Sequence, residues 1–179
     1  ELMGRRINVR KFVIHETAGT TVESALQTFW QRSVVAHLIM DIDGTVYQCG
    51  DLTWKGRHVG IDTVNSTSIG IEIVSLSDPN LSSLSSSVFK SRPILGNTFW
   101  NGQNRYVLPF EAQFEACFNV IKFFLSYKDE NIDIPRQWNS IVDGKWFNLG
   151  AKSVDQANVS SGRRQVLKNL ADPKTGGIA

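Results

Sequence analysis

Hydrophobic and polar positions along the chain follow two rhythms, one of period two and one near 3.6. Residues 7–15 alternate loosely and close on Phe12-Val13-Ile14, an apolar, β-branched ending that predicts a buried central strand. Residues 17–21 are small and polar. Thr20 followed by Glu23 fits a capping box, and Val22, Leu26, Phe29 and Trp30 keep helical spacing, which predicts a helix over 21–32. A second strand is expected over 34–40 and a third over 45–49. They are joined by Asp41-Ile42-Asp43-Gly44, where the turn needs a residue that tolerates positive φ. Residues 50–67 hold glycines, a Trp and a His without a period and read as a loop. Residues 69–74 form a fourth apolar strand, approached through Asn65-Ser66-Thr67-Ser68.

From 75 to 109 the pattern is irregular. Its serine-rich part, Ser82-Ser83-Leu84-Ser85-Ser86-Ser87, buries little surface and predicts a surface loop over about 77–91, with Phe99, Trp100 and Tyr106 docking the remainder. Pro109 stands where a first-turn proline is tolerated. The clearest helix follows over 110–127, where Phe110, Phe114, Cys117, Phe118, Ile121, Phe124 and Leu125 make one apolar stripe. Residues 132–135 read as a short edge segment, 163–170 as a short helix and 173–177 as a turn, and no internal repeat is present. The order β-α-β-β-β-loop-α predicts an α/β fold, a central mixed β-sheet flanked by helices.

Composition narrows this reading without redirecting it. A chain of 179 residues, 41% hydrophobic and 20% charged, suits one domain with a full core. The net charge of +2, with Lys and Arg scattered, gives no electrostatic case for nucleic acid. Two cysteines are too few for a disulfide framework, and Cys117, on an apolar helical face, reads as a packed thiol. No apolar run approaches the ~18–20 residues that span a membrane. The chain opens on Glu1, so its start carries no reading about export.

Two residues do not fit a purely structural pattern. A single His usually reads as a hydrogen-bonded structural residue, and the chain has three, His15, His37 and His58. His15 departs from that expectation. It ends a buried strand, and the Glu16-Thr17-Ala18-Gly19 exit leaves its imidazole at the sheet edge, where a neutral ring makes a good zinc ligand. Glu72 lies inside Ile69-Gly70-Ile71-Glu72-Ile73-Val74, and a carboxylate there is costly to bury unless paired or functional. Burial raises its pKa and suits a general base or acid near neutrality; the competing reading is an edge-strand Glu facing water. Gly70, two residues earlier on the same face, leaves room for a ligand. The two strands are expected to be neighbours in one sheet, with both residues facing one cleft.

Four blocks in order carry a resemblance. They are Val13-Ile14-His15-Glu16-Thr17-Ala18-Gly19, the run from Val35 to Gln48, Trp54-Lys55-Gly56-Arg57-His58-Val59-Gly60, and Asn65-Ser66-Thr67-Ser68-Ile69-Gly70-Ile71-Glu72. Together they resemble the zinc-dependent N-acetylmuramoyl-L-alanine amidase family, whose fold is shared with peptidoglycan recognition proteins and phage lysozyme-type amidases. The resemblance covers residues 11–76 and extends to the helix at 110–127. It implies the peptidoglycan recognition protein-like amidase fold, with His15 as the first zinc ligand and Glu72 as catalytic base. His37 matches a structural His, and Ala36 stands where some phage members carry a catalytic tyrosine. Trp54 and His58 match a loop that walls the substrate groove, Asn65 matches the start of the segment leading into the Glu72 strand, and the resemblance implies all three as substrate-binding residues. The implied reaction is hydrolysis of the amide between N-acetylmuramic acid and L-alanine by zinc-activated water. The implied partner is bacterial peptidoglycan or its muropeptides, met in the periplasm, the cell wall or outside the cell, or by a phage-encoded protein.

One departure is large. The family's other zinc ligands are a second His and an Asp or Cys near the C-terminus, and no histidine follows His58 here. Asp172, in Ala171-Asp172-Pro173, is similar to a family Asp-Pro-Gly ending but has no His upstream at the needed spacing. Two explanations stand. The native chain continues past Ala179, so that 1–179 is a single amidase-like catalytic domain cut short at its C-terminus, or the protein is a member that has lost its metal. The first is the expectation adopted. The alternatives to an enzyme are a module that binds muropeptides without cutting them and a structural domain of a phage or secretion machine.

Overall fold

The computed structural model describes residues 4–75, 94–100, 103–128, 130–134 and 177–178. The elements are β1 (Lys11–Glu16), α1 (Val22–Arg32), β2 (Leu38–Met40), β3 (Val46–Gln48), α2 (Asp62–Asn65), β4 (Ser68–Ile73), β5 (Ile94–Trp100), β6 (Gln103–Val107), α3 (Glu111–Ser126) and β7 (Gly177–Ile178). Five strands form one sheet in the order β3-β2-β4-β1-β7, and β5 and β6 form a separate antiparallel pair. Within the large sheet β2–β3 is antiparallel while β2–β4, β4–β1 and β1–β7 are parallel, so the expected mixed α/β sheet is what the chain builds.

Strand periodicity divides the core in two, because successive side chains point to opposite faces. Phe12 of β1, Leu38 and Met40 of β2, and Ile69, Ile71 and Ile73 of β4 pack with Phe124 of α3 on one face. Phe12 and Phe124 bring their ring centroids to 5.1 Å. On the other face Ile39 and Val74 pack with Val22, Ala25 and Phe29 of α1, and beside them Val13 meets Val64 of α2. The second face carries the site, framed by α1 on one side and by α2 with its preceding loop on the other.

Several boundaries differ from the sequence pattern, each for a local reason. Thr21, not Thr20, caps α1: its hydroxyl accepts from the Ser24 N–H at 3.1 Å, and Ser24 Oγ donates back to the Thr21 carbonyl at 2.8 Å. The loop over 50–67 contains α2, whose four residues are too few to show a period. The irregular part after Ser75 contains the β5–β6 pair, and the chain's last described residues, Gly177–Ile178, add an edge strand beside β1. The Asp41–Gly44 turn forms as expected, with Gly44 at φ 85°. Ile132 bridges Val9 in the expected edge position. The serine-rich segment, the helix expected over 163–170 and Asp172 lie outside the described residues.

Helix α3 is turned from its expected stripe. Phe114 and Phe118 are 54% and 61% exposed, whereas Gln113 is fully buried and Phe124 nearly so. The Gln113 side chain ties three backbone groups together. Its amide donates to the Val74 carbonyl at 2.8 Å and the Asp41 carbonyl at 3.1 Å, and its Oε1 accepts from the Phe110 N–H at 3.0 Å. The helix start is thereby fixed to the ends of β4 and β2. Gln113→Leu keeps the volume but strands these groups, and is expected to cost about 2–4 kcal/mol. A fall in the urea midpoint at unchanged slope checks this; an unchanged midpoint would show that the amide is not a tie.

Cys117 packs against the α3 side of the core, and burial pushes its thiol up, in keeping with a packed, unreactive sulfur. Among the described residues no helix is long and apolar enough to cross a membrane.

Candidate active site

β1 and β4 lie side by side in parallel register, with Lys11 opposite Ser68, Val13 opposite Gly70 and His15 opposite Glu72. Directly paired residues project to the same face, so the expected pairing of His15 with Glu72 is met on adjoining strands. Both lie at the carboxyl ends of these parallel strands, where open α/β sheets place their ligands.

Beside His15 stands His58. Gly70 has no side chain, and an added Cβ would lie 2.4 Å from His58 Nδ1 and 2.5 Å from its Cγ. The space that the sequence suggested for a ligand is occupied by the His58 ring, seated on the β4 backbone. Its Nδ1 is 3.1 Å from His15 Nε2, and its Nε2 is 3.0 Å from Ser68 Oγ. The rings of His15 and His58 meet edge to face at 5.3 Å, and those of His37 and His58 at 5.6 Å. All three histidines of the chain therefore form one cluster. Burial, followed by the two neighbouring imidazoles, holds His58 well below the ordinary histidine range, against a hydrogen bond to the Ser68 backbone.

The residues around the cluster act largely through the backbone. Asn65, the last residue of α2 and only 5% exposed, accepts at Oδ1 from the His58 and Val59 N–H groups, both at 3.1 Å. It fixes the loop that carries His58. His37 is fully buried. Its Nδ1 accepts from the Gly70 N–H at 3.0 Å and its Nε2 donates to the Trp54 carbonyl at 2.7 Å. A carbonyl can only accept, so the proton lies on Nε2. Burial lowers the pKa of His37, and the ring serves as a neutral peg between β4 and the 50–60 loop. Trp54, half-buried, contributes its carbonyl to that peg.

Glu72 is half-buried. Burial first, and the nearby Glu16 carboxylate second, raise its pKa to about 8. A carboxyl so placed can take and return a proton near neutrality. The sequence reading missed Ser68 and Glu16. Ser68 had a usable signal, since it shares the two-residue period of Gly70 and Glu72 and so falls on the same face.

His37 and His58 have both ring nitrogens engaged by the groups just described. Among the described residues no three His, Cys, Asp or Glu side chains are gathered that could hold an ion.

The sequence matches the profile of the family described as N-acetylmuramoyl-L-alanine amidase over residues 5–154. Solved structures with a similar chain course include the N-acetylmuramyl-L-alanine amidase AmiD from E. coli, in complex with the substrate anhydro-N-acetylmuramic acid-L-Ala-D-gamma-Glu-L-Lys. It is 21% identical, with a TM-score of 0.49 over 71% of this chain and 48% of that one. AmpDh3 from Pseudomonas aeruginosa, in complex with anhydromuramic pentapeptide, is 19% identical, with a TM-score of 0.48 over 67% of this chain and 46% of that one. The Drosophila peptidoglycan recognition protein PGRP-SA is 16% identical, with a TM-score of 0.43 over 69% and 63%. The chain spans about half the length of the first two. No curated protein sequence matches it.

Proposed function

The chain belongs to the N-acetylmuramoyl-L-alanine amidase family, and from that premise we propose that it hydrolyses the amide bond between N-acetylmuramic acid and L-alanine in bacterial peptidoglycan. The observation that carries the reading is Glu72 paired in register with His15 at the carboxyl end of adjoining parallel strands, with its pKa raised to about 8. In this reading Glu72 is the general base and His15 one ligand of a zinc ion. The zinc, when bound, supplies an acidified water and polarises the scissile carbonyl.

The chain's own residues do the rest. Glu72 takes a proton from the attacking water and returns it to the departing amine of L-alanine. It sheds its proton more readily beside a divalent cation, so that the raised value of the metal-free protein moves toward working pH. Trp54, His58 and Asn65 are the proposed contacts for a muropeptide, and Asn65 also holds the backbone at His58 and Val59.

The test incubates the protein with purified peptidoglycan and with a synthetic N-acetylmuramoyl-peptide, after chelation and again after adding zinc. Mass spectrometry should find a sugar bearing a free lactyl carboxyl and a peptide with a free L-alanine amine, appearing only when zinc is restored. Saturable binding of muropeptide without cleavage at any zinc level would replace the enzyme reading with that of a binding module.

A further inference from the structure

We propose that Ser68 and His58 form a positioning relay that holds the His15 ring in its Nε2–H tautomer and places its lone pair on Nδ1. The argument starts from a group whose role is fixed. The Val64 carbonyl lies 2.7 Å from Ser68 Oγ and can only accept, so the single hydroxyl proton of Ser68 is directed to it. Toward His58 Nε2, 3.0 Å away on its other side, Ser68 Oγ can then only accept. His58 Nε2 therefore carries a proton.

A neutral imidazole has one N–H, so His58 Nδ1 bears the lone pair. That His58 is neutral follows from its surroundings. The ring lies on the Gly70 backbone between two other imidazoles, at 5.3 Å and 5.6 Å, and His37 is itself held neutral by the Gly70 N–H and the Trp54 carbonyl. The atom facing His58 Nδ1 at 3.1 Å is His15 Nε2, which must donate. A single chain of donors thus runs from His15 through His58 and Ser68 to a main-chain carbonyl of α2, and each direction is forced by the one before it.

The consequence for the proposed reaction rests on reading His15 as a metal ligand. A histidine that binds a metal through one nitrogen usually donates its other N–H to a fixed acceptor, which sets the ring's tautomer and angle. Here that acceptor is another imidazole, itself anchored by a serine, and the relay would leave Nδ1 as the His15 nitrogen that carries the lone pair. His58 and Ser68 act through His15 and are positioning residues in this scheme.

Long-range 1H–15N correlation spectra of the metal-free, 15N-labelled full chain test the relay without recourse to activity. The relay requires protonated, pyrrole-type Nε2 and unprotonated, pyridine-type Nδ1 signals for both His15 and His58. In Ser68→Ala the two rings should shift toward a mixture of tautomers, and Ser68→Thr, which keeps the hydroxyl, should restore the original pattern. An Nδ1–H tautomer at His15 in the wild-type protein would overturn the relay even if no variant folded. So would an unaltered His58 and His15 pattern in Ser68→Ala. Zinc affinity, read by competition with a chromogenic chelator, should fall about 10–100-fold in Ser68→Ala. Failure of the wild-type protein to bind zinc removes His15 as a ligand but leaves the tautomers to be judged on the spectra, so the two readings fail separately.

Discussion

Glu72→Gln is expected to lower hydrolysis of an N-acetylmuramoyl-peptide by about 10²–10⁴-fold, the usual contribution of a positioned acid–base group. The exchange is nearly isosteric, so binding of zinc and of the muropeptide should stay close to wild type. The same substitution makes a second, independent prediction about stability. In the metal-free fold the Glu72 carboxyl has its pKa raised from 4.5 to about 8, by burial and then by Glu16. A raised folded-state pKa means that the folded protein holds this proton more tightly than the unfolded chain. The associated stability is fully present below about pH 4.5 and is lost as pH rises to about 8. The gap of about 3.5 units caps the loss near 5 kcal/mol, and because Glu72 is partly open to water a loss on the order of 2–4 kcal/mol is expected. Gln carries no such cost. Urea midpoints of chelated wild type and Glu72→Gln should therefore lie close at pH 5 and separate by pH 8.5, with the variant the more stable. Wild-type turnover in the variant would remove Glu72 from the chemistry, and parallel stability curves across this range would show that the carboxyl is not held in a desolvated position.

How much of this site could be read from the sequence depended on whether the signal was local. β1 and β4 were legible because each is an apolar, β-branched run broken by one polar residue, and His15 and Glu72 were conspicuous for that reason. Their register was not legible: which residue of β1 faces which of β4 is a property of two segments more than fifty positions apart. His58 was harder still. It lies in a stretch without a period, and its position depends on a side chain that Gly70 lacks on another element. The glycine was read correctly as a gap on the Glu72 face, but nothing in the sequence said that the gap is filled from within. In α3 the apolar period was real and the direction was off. Gln113 occupies the most buried position because it pairs with carbonyls at two strand ends, and a hydrophobicity pattern counts such a residue as surface. Phe114 and Phe118 are left exposed as a result.

The filled gap gives the second large effect. In Gly70→Ala the new Cβ would stand 2.4 Å from His58 Nδ1, 2.5 Å from its Cγ and 2.8 Å from its Cε1, all shorter than real Cβ contacts allow. A flexible side chain would swing away at little cost, but this ring has nowhere easy to go. Its backbone is held by Asn65, its two nitrogens by His15 and Ser68, and its edge meets His37. Moving it breaks both ring hydrogen bonds and leaves polar atoms short of partners in a buried setting, which together should cost about 2–4 kcal/mol. The His15 ring loses its acceptor in the same step, so zinc affinity should fall about 10–100-fold. The origin of the damage can be isolated with a double-mutant cycle. His58→Ala alone removes the ring and its bonds; adding Gly70→Ala to it places a methyl group in the vacated space, where it meets nothing that must move. The pair should then be scarcely less stable than His58→Ala alone, a coupling of 1 kcal/mol or more in the sense of rescue. Strict additivity of the two substitutions would place the clash elsewhere. A Gly70→Ala protein with intact stability and zinc affinity but a raised KM would instead show that the space above Gly70 belongs to the substrate.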